Sequence, residues 1–223
     1  MTDALTSHPG ERLPDTARTH IVGGREWGLA RSSDEDLDVG LSPPGSGQAI
    51  SDLEIVDSSF SAIINAPIEK VDIPTWCFTL PEDEYRRCSP AHIAAGFTTA
   101  PDGKRMSINV ETIGGSLMVQ HYVETLAEKH HLILESVSDI FTPTGRTTIH
   151  VLWELSVRRI DDRTCEFTNH VRSRATEEFK ASLDRQGIPF DVFRAQRQPM
   201  SIAHNRGETP LFAASIERAA LRN

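Results

Sequence analysis

From residue 53 onward the chain alternates short runs of mixed polarity, then changes to a longer helical period. In "LEIVDSSFSAIINAP", Phe60, Ala62 and Ile64 alternate with Ser59, Ser61 and Ile63, the period of two that a half-buried strand requires. The next segment, "PIEKVDIPTWCFTLPEDEYRRCSPAHI", is broken by prolines and charges and predicts short helices and turns. Strand-like runs follow at about 95–100, 105–112, 116–125, 131–141, 146–158 and 163–173. They are separated by "PDGK", "GG", "TPTGR" and "DDRT", of which the first and last are hairpin-type punctuation, so neighbouring strands should be antiparallel. After Arg174 the period becomes helical through "TEEFKASLDRQ", pauses at "GIP" and resumes from Phe190 to Leu221. Grouped strands followed by segregated helices predict an α+β fold. Its form should be a curved antiparallel sheet gripping a long C-terminal helix, with a cavity between them.

Composition divides the chain in two. Residues 1–50 hold one aromatic residue, Trp27, the acidic run "SSDEDLD" and the breaker cluster "SPPGSGQ". Such a segment buries too little apolar surface to offset chain entropy, so it predicts a flexible acidic arm ahead of a domain at 51–223. The net charge of −9 argues against nucleic acid and against an anionic membrane surface. No run approaches the roughly 20 apolar residues of a membrane span. Cys77, Cys88 and Cys165 are far apart and form no CxxC, which suits buried thiols in a reducing cytoplasm. The assembly state is left open, a homodimer included.

The chemistry-bearing residues cluster late in the chain. In "SIAHNRGETPLFAASI", His204 and Glu208 stand four apart, which on a helix stacks them on one face, near Met200, Leu211 and Phe212. Imidazole and carboxylate are both good Zn²⁺ donors, and a buried Glu is costly unless it is paired or metal-bound. Against this, Thr209-Pro210 reads equally as a helix N-cap with Pro at the first helical position, which would leave both residues around a turn. Further donors must come from the sheet. His121 alternates with Leu117, Val119 and Val123, and Glu154 interrupts the apolar strand "IHVLWELSV". Glu154 lies opposite the apolar face made by Ile149, Val151, Trp153, Leu155 and Val157, so it meets the cavity only if a bulge shifts the register. Glu124 is a reserve carboxylate. No nucleophile elbow or phosphate loop is present.

The stretch "FSAIINAPIEKV", with the element order over residues 53–221, resembles the helix-grip proteins of the START/Bet v 1-like (SRPBCC) superfamily. That resemblance implies a cavity for small apolar or aromatic ligands. A strand His, a later strand Glu and His-x-x-x-Glu on the last helix resemble the zinc site of the diacetylphloroglucinol/phloretin hydrolase family. This second resemblance implies His121, Glu154, His204 and Glu208 as Zn²⁺ ligands and cleavage of the carbon–carbon bond between an acyl group and a phenolic ring. A general acid must then protonate the leaving ring carbon, and Tyr122, His131 and His150 are the candidates. The alternatives are a metal-free helix-grip carrier and a cofactor-free cyclase or dehydratase.

Overall fold

The computed structural model describes residues 53–222, so the acidic arm expected over residues 1–50 lies outside the described residues. Seven strands form one antiparallel sheet: β1 (Glu54–Ile64), β2 (His92–Thr99), β3 (Arg105–Ile113), β4 (Ser116–Glu128), β5 (His131–Thr142), β6 (Gly145–Arg159) and β7 (Cys165–Ala175). The proline-rich segment after β1 makes a single 3-10 turn and two short helices, α1 (Ile73–Thr79) and α2 (Glu82–Arg87). The Asp72 side chain caps α1 by accepting the Thr75 N–H at 2.9 Å, with Pro74 in the first turn. Helix α3 (Glu177–Gln186) ends on Gly187 in the left-handed region at φ 65°, and α4 (Phe190–Arg222) follows it. Strands β2 to β7 form a meander of neighbours, and β1 pairs with β7, giving the order β1-β7-β6-β5-β4-β3-β2. This is the helix-grip arrangement the sequence implies.

Alternation decides which side chains face inward. On β6, Ile149, Val151, Trp153, Leu155 and Val157 are buried, as their apolar character predicts. Helix α4 is held over this face by directed bonds as well as by packing. The Asn205 amide donates to the Ser58 carbonyl at 3.0 Å, and Trp76 Nε1 donates to Ser215 Oγ at 3.0 Å. Phe212 is 1% exposed and meets Trp76 edge-on with ring centroids 5.5 Å apart. Burying such a side chain contributes about 1.5–3 kcal/mol.

The helix boundary read at Thr209-Pro210 does not form. Helix α4 runs through both Pro199 and Pro210. Each proline lies on the exposed side, as do Ala195 and Arg206, whose carbonyls the prolines leave without an N–H. Thr209 turns its hydroxyl back to the Asn205 carbonyl at 2.6 Å instead of capping a new helix. His204 and Glu208 therefore do lie one turn apart on one face. The stripe is different from the one expected, because Met200 and Leu211 are 42% and 43% exposed. The inward stripe is Arg197, Ser201, His204, Asn205, Glu208 and Phe212. No helix of the described residues is long and apolar enough to cross a membrane, and Cys77, Cys88 and Cys165 are free and buried.

Candidate functional site

Between the sheet and α4 lies a cavity of about 190 Å³, lined by Ile, Val, Met and aromatic side chains together with polar and charged ones. At one end, four ionisable side chains from three elements converge. His92, the first residue of β2, and Glu111 on β3 are cross-strand partners. A register shift between His92 and Ala94 sets His92 apart from the regular ladder, a common device beside functional sites. His204 and Glu208 descend from α4. His204 Nε2 lies 3.1 Å from Glu111 Oε2 and 3.2 Å from Glu208 Oε2. His92 Nε2 lies 3.1 Å from Glu208 Oε2 and 3.5 Å from Glu111 Oε2. One donor atom each from His92, Glu111 and His204 can be chosen so that all lie within 4.8 Å of one another.

The outer atoms of these groups are held in turn. His92 Nδ1–H donates to the Tyr85 carbonyl at 2.7 Å, and its ring stacks on Tyr85 with centroids 3.9 Å apart. With Nδ1 committed to the Tyr85 carbonyl, Nε2 is the His92 nitrogen that faces the cluster, the orientation that metal-binding histidines adopt. His204 Nδ1 faces Ser89 Oγ at 3.4 Å. Glu208 Oε1 accepts from the Asn169 amide at 3.1 Å, and Asn169 is oriented by Trp153 Nε1, which donates to its carbonyl oxygen at 2.8 Å.

Burial alone would push Glu208 up and His204 down. Their hydrogen bonds reverse both effects: His204 and His92 pull Glu208 down to about 2, while Glu111 and Glu208 hold His204 up to about 10. Without a cation, the cluster is an imidazolium locked between carboxylates. The two imidazole nitrogens and the Glu111 oxygen that gather within 4.8 Å, with Glu208 in contact with both imidazoles, are also the donor chemistry that Zn²⁺ takes. Tyr122 sits on the cavity wall beside them, and burial, reinforced by Glu111 and Glu208, pushes its phenol well up, so it stays protonated.

Of the residues singled out from sequence, the structure brings together His204, Glu208 and Tyr122. His121 and Glu154 are corrected: both point away from the cavity. Met118, Gln120 and Tyr122 take the inward positions of β4, and alternation turns His121 outward. Glu154 has no bulge to re-aim it, pairing in unbroken register with His170. It accepts from His131 Nε2 at 2.8 Å, with His170 Nδ1 at 3.5 Å on its other oxygen. His131 is thereby committed to an outer-face pair, and His150 is exposed, so neither reaches a ligand in the cavity. The reserve Glu124 is taken up by Arg105 at 2.6 Å.

His92 and Glu111 take the places assigned to His121 and Glu154. A signal for Glu111 was present: Ser107, Asn109 and Glu111 alternate with Ile108 and Val110, and this polar face is the buried one. His92 stood inside a segment that reads as turns.

No protein-family model matches the chain, and no curated protein matches its sequence. Solved structures do match. The Zhui aromatase/cyclase from Streptomyces sp. R1128 is 10% identical, with 73% of this chain and 93% of that one covered and a TM-score of 0.54. The di-domain aromatase/cyclase StfQ of the steffimycin biosynthetic pathway is 14% identical, with 76% and 53% covered and a TM-score of 0.51. A START superfamily protein from Mycobacterium smegmatis is 12% identical over 74% of this chain and 97% of that one, with a TM-score of 0.44. At such identities the likeness is one of fold.

Proposed function

We propose that this chain binds and transforms a small aromatic, polyketide-like molecule in the cavity, and that it does so as a metal-dependent hydrolase. The observation that carries this reading is the convergence of His92, Glu111, His204 and Glu208 on the wall of the cavity. These four residues would hold a Zn²⁺ ion, which supplies Lewis-acid polarisation of a substrate carbonyl.

The chain's own residues account for the rest. Trp153, Val151 and Ile149 wall the pocket with apolar surface that holds an aromatic ring and excludes water. Tyr122, kept protonated, can donate a hydrogen bond or a proton beside the reacting carbonyl. Asn169 fixes the orientation of Glu208, and the Tyr85 carbonyl fixes that of His92. For hydrolysis of an acyl-phenol, the acyl carbon takes the hydroxyl of water and the ring carbon takes a proton.

A second reading is a cofactor-free cyclase or dehydratase using the same cluster as acid and base. The His204 imidazolium held between two carboxylates favours it, as does the likeness in fold to two aromatase/cyclases. Elemental analysis of the purified full-length chain, with turnover of a panel of acyl-phenols and linear polyketide analogues before and after chelation, separates the readings. About one zinc per chain, with acyl-phenol cleavage lost on chelation and restored by zinc, supports the first. A metal-free protein that cyclises or dehydrates a substrate in the presence of chelator supports the second and removes the first.

A further inference from the structure

At the opposite end of the stripe on α4 stands Arg197, 8% exposed and part of the cavity lining. Its guanidinium donates to the Ile113 carbonyl and lies 3.2 Å from Met118 Sδ. No carboxylate among the described residues forms an ion pair with it; the nearest opposing charge that stabilises it is Glu111, acting at longer range. Burial accordingly pulls its pKa below the usual arginine value. An arginine carries five N–H donors, and one carbonyl with one thioether leaves most of that fork without a strong acceptor.

The backbone is shaped to admit this group. Gly114, at φ 57°, opens the β3–β4 turn, and a Cβ there would stand 2.6 Å from Arg197 Nη1 and 3.0 Å from the Met200 methyl carbon. The turn thus leaves room for the Arg197 guanidinium at the cavity wall. A buried charge without a counter-ion is costly, so a partner from outside the chain is the physical complement.

Two independent rulers give the spacing. Arg197 precedes His204 by two helical turns, about 10 Å along the axis. Ile113, which anchors the guanidinium, follows Glu111 by two strand residues, about 7 Å.

We propose that Arg197 is the anion-recognition residue of the cavity, and that the substrate is an aromatic molecule carrying a carboxylate about 7–10 Å from the group that meets the His/Glu cluster. This rests on the reading of the cavity as the substrate site, and it deepens that reading by naming the substrate class. Arginine suits the task because its planar fork matches a carboxylate bidentately.

The test is calorimetric titration of the full-length protein with 2-naphthoate and with its neutral, nearly isosteric amide, 2-naphthamide. In Arg197→Met the naphthoate affinity should fall about ten-fold or more, the scale of a lost charge-assisted hydrogen bond, while the naphthamide affinity stays within about two-fold. Arg197→Gln, which keeps a donor for the Ile113 carbonyl, is read in the same way should the Met variant not fold. A naphthoate affinity that falls no further than that of the amide overturns the proposal, as does a parent protein that binds the amide as tightly as the acid. Metal analysis of the same samples keeps the two readings apart. A metal-free protein with Arg197-dependent naphthoate binding loses the hydrolase and retains the anion site, and a zinc-loaded protein without that dependence does the reverse.

Discussion

Replacing His92 with Ala tests whether the metal ligands come from β2 and β3, and His121→Ala is its control. The His92 side chain is only 1% exposed and stands within 3.1 Å of Glu208 and 3.5 Å of Glu111. Apparent binding energies of structural zinc sites run to about 10–16 kcal/mol, so one donor in four accounts for about 3 kcal/mol. That is about two orders of magnitude in affinity. The parent should keep its zinc through gel filtration against a moderate competing chelator, and His92→Ala should lose it. The thermal readout is the difference between zinc-loaded and chelated samples, because His92→Ala also forfeits the stack on Tyr85 and lowers the absolute Tm. Zinc present at about 100–1,000 times its Kd adds about 3–4 kcal/mol, or about 6–16 °C for a domain of this size. That difference should collapse in His92→Ala and persist in His121→Ala, whose side chain is turned outward. Zinc retained by the first variant and lost from the second, or an equal chelation shift in parent and His92→Ala, refutes the ligand assignment.

Three further outcomes are expected. In chelated protein the cluster has a pH signature: Glu208, lowered from 4.5 to about 2, contributes stability that is lost as pH falls below about 4.5, and His204, raised from 6.5 to about 10, contributes stability that is lost as pH rises from about 6.5 towards 10. The Tm of chelated protein should therefore decline above pH 6.5, whereas zinc-loaded protein should gain over the same range because the metal displaces protons; a chelated Tm that climbs with pH contradicts the imidazolium assignment. Tyr122→Phe should cut turnover by about 10²-fold with little change in KM, and an undiminished turnover number excludes Tyr122 as proton donor. Phe212→Ala should cost about 3–5 kcal/mol by denaturant titration, given its burial among Trp76, Trp153 and His92, and a cost below about 1 kcal/mol would show a looser centre than described.

The fold was legible in the sequence because alternation, hairpin punctuation and the switch to a helical period are local signals, and here they agree with the global architecture. The register of β6 could be read for the same reason: its apolar face is the buried face. On β3 and β4 that rule inverts. Their inward positions carry Ser107, Asn109, Glu111 and Gln120, because this part of the sheet lines a cavity instead of a packed core. Apolarity therefore selected His121, on the wrong face of β4, and passed over Glu111. The helical half of the site was visible because His204 and Glu208 satisfy a spacing rule within one element. The sheet half depends on a cross-strand pairing and a register shift at His92, which no single segment encodes. Pro210 suggested a boundary that tertiary packing overrides, with Pro210 and Arg206 both on the exposed side of α4.

The pairing of β1 with β7 also governs the order in which the molecule can be assembled on the ribosome. Ile64 meets Cys165 across that ladder, 101 residues later in the chain. At about 5–20 residues per second, translation leaves β1 waiting about 5–20 s for β7, its strand partner among the described residues. During that interval the meander from β2 to β7 can close hairpin by hairpin, through contacts that are cheap in loop entropy. β1 and α4 can be added only at the end, one from each terminus of the domain. His92 and Glu111 thus face each other early in the life of the nascent chain, whereas His204 and Glu208 arrive with the last helix to emerge. Completion of the four-residue cluster therefore waits on α4, and a chain interrupted before that helix emerges carries a complete sheet with half of the cluster.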